Sequence, residues 1–103
     1  ALSAEAGQTS RGVRRRRFAG AIISNKNESG QALTPKISIT NGSVAGTYEL
    51  DLVNIPKGGT ETWTEEDYAV DLDKDEYVKI DVAESLLSGD RLYIAVRIND
   101  MYA

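Results

Sequence analysis

Cysteine and histidine are both missing from the 103 residues. That excludes a disulfide framework, thiolate chemistry, Cys/His zinc sites and every histidine-based catalytic triad. Proline occurs twice, and tryptophan, phenylalanine and methionine once each. No apolar run approaches the roughly 20 residues of a membrane-spanning helix, so no membrane span is expected. A glycine-rich phosphate loop is lacking too, because Gly58-Gly59 simply continues the turn begun at Pro56. What is present, 41% hydrophobic and 27% charged residues, suits one small folded domain.

Charge is split along the chain. Residues 1–26 hold six cations and one anion, a net +5, whereas residues 27–103 hold six cations and 15 anions, a net −9. The positive end is dominated by Arg14, Arg15, Arg16 and Arg17, and the densest negative stretch runs from Glu65, Glu66 and Asp67 to Glu76. A basic segment of this kind seeks an acidic partner, which is either a polyanion such as nucleic acid or the acidic body of an identical subunit. The arginine block is short, has no aromatic residues between its members, and adjoins an acidic body, so the second partner is favoured.

Residues 1–12 are small and polar, with Leu2 the only large apolar side chain, and are expected to be flexible in a free monomer. The run Ala1–Ala6 has the small-residue character of a signal-peptidase site, which points to export. Val13–Ser24 reads as an extended strand. Phe18, Gly20 and Ile22 would share one face, and Ala19, Ala21 and Ile23 the other, so its second half demands cover on both sides. At about 3.3 Å per residue this segment reaches roughly 40 Å, enough to cross a neighbouring subunit. Beyond it, strand signals recur at Lys36–Thr40, Thr47–Ile55, Thr60–Thr64, Glu76–Val82 and Arg91–Ile98, separated by Asn41-Gly42, Pro56–Gly59 and Ser88–Asp90 turns. In Thr47–Ile55 the pattern turns Tyr48, Leu50 and Leu52 inward. In Arg91–Ile98 it turns Leu92, Ile94, Val96 and Ile98 inward. The fold expected is all-β: an immunoglobulin-like antiparallel β-sandwich of about five to seven strands, with an extended arm over residues 1–24 and the body over residues 25–103.

Few residues suggest chemistry. Asp71, Asp73 and Asp75 alternate as calcium ligands do, yet the sixth position is Glu76 rather than glycine and the twelfth is Val82 rather than glutamate. Asn27 and Asn41 each satisfy the glycosylation sequon and fall in expected loops. Glu49 and Asp51 share a strand face, where carboxylates serve solubility more often than acid–base work. No enzyme is expected, and no cofactor other than that weak calcium pattern. Trp63, Tyr68 and Tyr77 are the residues from which a glycan platform would be built.

The stretch Ile37–Tyr48, with its Asn41-Gly42 turn, and the later Leu86-Leu87-Ser88-Gly89-Asp90-Arg91-Leu92 resemble the turns and final strand of microbial cell-surface β-sandwiches. Globular domains of archaeal pilins and other extracellular filament subunits are similar. The resemblance implies a non-enzymatic structural subunit that self-assembles into an extracellular, pilus-like filament. The chain departs from type IV-like pilins in lacking their long hydrophobic N-terminal helix, so its joint must differ. Donor-strand complementation suits residues 13–24. In that arrangement Arg14–Arg17 meet Glu65, Glu66 and Asp67 of a neighbour, and Phe18, Ile22 and Ile23 fill its groove. The alternative is a virion shell or decoration protein whose basic arm meets nucleic acid.

Overall fold

Strands run through nearly the whole of the computed structural model, most of them with alternating apolar and polar side chains. It describes residues 2–8 and 13–102, except for the side chains of Val13, Arg14, Met101 and Tyr102. The strands are β1 (Leu2–Ala6), β2 (Val13–Asn25), β3 (Pro35–Thr40), β4 (Tyr48–Leu52), β5 (Thr60–Trp63), β6 (Val70–Leu72), β7 (Tyr77–Val82) and β8 (Leu92–Tyr102). One helical turn, α1 (Glu65–Tyr68), separates β5 from β6. All pairings are antiparallel. One sheet has the order β1-β7-β3-β4; in the other, β2 is flanked by β8 on one edge and by β5 and β6 in succession on the other.

The core lies between the sheets. Phe18, Ala21, Ile23, Trp63 and Leu72 of one sheet meet Ile37, Ile39, Val78 and Ile80 of the other, with Ile55 closing the cluster. The all-β sandwich is as the sequence indicates. β8 also keeps its expected alternation, with Leu92, Ile94, Val96 and Ile98 packed on the core.

Residues 13–24 are not a separate arm. They form the central strand of their own sheet, with both edges paired. Their apolar residues on both faces have a local cause. Between Phe18 and Ala21, β2 advances three residues while β8 advances two, from Ile98 to Val96. This β-bulge reverses the alternation, so Phe18 before it and Ala21 and Ile23 after it all face the core. Only Ile22 is left outside, 43% exposed. Gly20 makes the bulge possible: its φ is +122°, and a Cβ there would stand 2.3 Å from the Trp63 carbonyl oxygen.

Two further expectations change. β4 slips register against β3 between Ile37 and Ser38, so Leu52 stands opposite the exposed Lys36; Leu52 and Tyr48 are both exposed, while Leu50 packs on the core. The segment expected to be flexible contains β1, whose Leu2, Ala4 and Ala6 stand opposite Val82, Ile80 and Val78. Residues 9–12 of the expected arm lie outside the described residues.

Candidate functional site

Strand alternation gives the consecutive arginines opposite surroundings. Arg15 and Arg17 are exposed, whereas Arg16 is only 5% exposed. The register places Arg17 opposite Asp71 of β6, and its Nε donates to Asp71 Oδ1 at 2.8 Å. That hydrogen bond, with the attraction between the charges, holds the Asp71 carboxyl below its ordinary range and raises the Arg17 guanidinium. Glu65 adds to the field at Arg17, and Arg15 to that at Asp71. The complementarity expected between subunits is therefore met, at Arg17, within one chain. Glu65, Glu66 and Asp67 are exposed on α1, where Glu65 accepts from Asn99 of β8 at 2.8 Å. The Arg14 side chain lies outside the described residues.

Arg16 makes a different set of contacts. Its guanidinium donates to the backbone carbonyls of Gly7, of Glu76 at 2.6 Å and of Asp73 at 2.7 Å. A planar fork of donors suits this task, since one side chain bridges several backbone oxygens with fixed geometry. The bridge joins the chain just after β1 to the turn between β6 and β7. Arg16 is thus engaged inside the protein, and Arg17 is paired with Asp71 at its surface.

β1 sits at a sheet edge with β7 as its one partner among the described residues. Two of its three inward side chains are methyl groups, and they leave a groove of about 220 Å³ lined by Ala4, Glu5 and Ala6 of β1, Val78 and Ile80 of β7, and Ile94 and Val96 of β8. The groove is mainly apolar, with Glu5 its one charged lining residue, lies between the facing edges of the two sheets, and is closed only partly by β1.

The remaining candidates resolve by burial. Trp63 is 3% exposed and its Nε1–H donates to Asp51 Oδ2 at 2.7 Å, so it is a core residue tying the two sheets and no part of a glycan platform. Asp51 is thereby occupied, and its charge raises the nearby Tyr68 phenol. Asp71 is taken by Arg17, and no three carboxylates converge on a cation position among the described residues.

Asn27 is 4% exposed, with its Nδ2 donating to the Gln31 carbonyl at 2.9 Å and its Oδ1 accepting from Arg91 N–H at 3.1 Å. Its sequon is consequently not presented. Asn41 is exposed, its Oδ1 accepting from Ser43 N–H at 3.0 Å in the loop after β3.

Sequence reasoning overlooked one polar cluster at the sandwich end. Asn25 donates to the carbonyls of Gln31 and Ile55, each at 2.9 Å, and accepts from Asn27 N–H. Asp90 accepts from Ser29 N–H at 3.0 Å and from Ser29 Oγ–H at 2.7 Å. Burial pushes the Asp90 carboxyl up, but these and further backbone hydrogen bonds outweigh it and hold it below its ordinary range. The cluster binds three segments to one another. Its only sequence signal is a recurrence of Asn and Asp in turns, which any β-protein shows.

The feature that stands out is accordingly a short edge strand beside a groove, next to a buried arginine. Comparison with known proteins yields no match for this chain: no family model, no curated protein and no solved structure aligns with it.

Proposed function

We propose that the protein is a non-enzymatic structural subunit that assembles head to tail into an extracellular filament, β1 of one copy seating in the β7–β8 groove of the next. The donated segment is thus β1, not residues 13–24, whose edges are both paired within the chain. The observation that carries this reading is the underfilled groove beneath a five-residue edge strand of small side chains. Exchange of β1 replaces each contact with an identical one from another copy, so little is lost when the strand changes subunit. Backbone pairing supplies affinity, and the alternate inward side chains supply register. Donor strand and acceptor groove are different surfaces of one chain, and such heterologous contacts build open polymers unless the rotation happens to close a ring.

A cross-linking experiment tests it directly, because the chain has no cysteine of its own. Ala4 and Ile80 stand opposite each other in the β1–β7 register. Copies carrying Ala4→Cys are mixed with copies carrying Ile80→Cys and oxidised. The expected result is a disulfide between the two kinds of copy, with filaments of the unaltered chain visible by negative staining. A chain that stays monomeric at every concentration, and cross-links only when both cysteines are in one copy, would refute the proposal.

A further inference from the structure

The geometry points to Arg16 as a latch that keeps β1 on its own subunit and so sets how readily the strand is released, an inference resting on the reading that β1 is exchanged. Arg16 is anchored on the central strand, opposite Leu72, where neither the core nor the register lets it move away. One of its terminal nitrogens, Nη1, reaches both the carbonyl of Gly7, the first residue after β1, and that of Glu76, the last before β7. The other, Nη2, holds Asp73 at the start of the same turn. A single guanidinium therefore grips the exit of β1 and the entrance of the strand β1 lies on.

Gly7 is shaped for this grip. Its φ of +81° suits glycine, and a Cβ there would stand 3.0 Å from the Cδ1 atoms of both Ile98 and Leu72. The chain is thus threaded between two core side chains and bonded from beneath by Arg16. Among the described residues β1 itself has five residues, one partner strand, and methyl groups at two of its three inward positions. Releasing Gly7 strands no charge, because Nη1 still has the Glu76 carbonyl and Nη2 the Asp73 carbonyl. Such a contact is suited to opening and closing while the body stays folded.

Arg16 is a positioning residue in this scheme, and the test separates the latch from general stability. Amide hydrogen exchange is followed strand by strand in Arg16→Lys, at a concentration below that of assembly, and light scattering follows assembly above it. Lysine keeps the charge but lacks the fork. Exchange in β1 and at its β7 partners is expected to rise roughly tenfold, with β2 and β3 unchanged, and assembly to start sooner. Gly7→Ala leaves Arg16 in place but presses its Cβ on Ile98 and Leu72, so faster exchange is expected in β1 together with the β6 and β8 residues at those two contacts, and not in β3.

Unchanged exchange in β1 would overturn the latch. So would acceleration spread evenly over every strand, which marks a residue of merely general structural importance. Faster exchange confined to β1 and β7 with no change in assembly upholds the latch and removes strand exchange as the mode of polymerisation.

Discussion

β1 and β2 both belong to the first 25 residues, yet the fold uses them in opposite ways. β2 is flanked on both edges and sends Phe18 and Ile23, both fully buried, into the core. β1 has one partner among the described residues and presents Leu2, Ala4 and Ala6. Burying a phenylalanine or isoleucine side chain contributes about 1.5–3 kcal/mol, while an alanine methyl contributes under about 1 kcal/mol. Withdrawing β2 would dismantle one sheet, whereas withdrawing β1 exposes a groove and leaves the remaining pairings intact. On the proposed reading, exchangeability follows side-chain size and the number of paired edges, and position near the start of the chain contributes nothing by itself.

The largest effect is expected from striking β2 at its core. Phe18→Ala should destabilise the protein by about 3–5 kcal/mol, with all strands lost in one transition during chemical denaturation. A loss below about 1 kcal/mol would mean that β2 is not the central element described here. Gly20→Val comes next. A side chain there meets the Trp63 carbonyl and a positive φ, so the bulge must shift, at about 1–3 kcal/mol. The readout is sharper than stability alone. If the bulge is what turns Ala21 and Ile23 inward, the variant should change the fluorescence of Trp63, which pairs with Ala21.

How far these two strands were legible in the sequence follows from the same physics. β8 could be read because its alternation is unbroken and its inward residues are large. β1 could not, since Leu-Ser-Ala-Glu-Ala carries no β-branched or aromatic residue, and its strand conformation comes from pairing with β7. Strict period-two counting failed in β2 because one extra residue reverses the faces. The glycine inside an apolar strand was the signal available for that bulge.

The arginine run was visible as charge, but its partners were not. Arg17 meets Asp71 only through a register that no local pattern records, and Arg16 binds carbonyls, which every residue possesses. Trp63 looked exposed because its neighbours Glu61, Thr62 and Thr64 are polar, as they are in any edge strand with one buried position.

A smaller effect sharpens the contrast from the β1 side. Ala4→Leu places a larger side chain over the groove that Ala4 and Ala6 leave open. Filling such space commonly adds about 0.5–2 kcal/mol, and here the gain should fall on β1 alone. Slower β1 amide exchange and slower cross-linking between copies are expected, with the melting temperature raised only slightly. An Ala4→Leu chain that exchanges its strand as fast as the original would show that the groove does not govern release.

The smallest effect concerns the ion pair that joins β2 to β6. The folded-state pKa of Asp71 is depressed, chiefly by its hydrogen bond from Arg17. A depressed carboxyl stabilises the fold above its unfolded pKa, and that contribution is lost as pH falls through the folded value. The Arg17–Asp71 contribution should therefore be full near neutrality and fade below about pH 4. Both side chains are about half exposed, so added salt should weaken it as well. Asp71→Asn should lower stability slightly at neutral pH and low salt, and the two chains should converge in acid or in concentrated salt. A gap as large as that of Phe18→Ala, or one indifferent to salt, would mean that charge rather than packing holds β2 in place. The distinction between a strand fixed by its core and a strand held by a latch would then have to be redrawn.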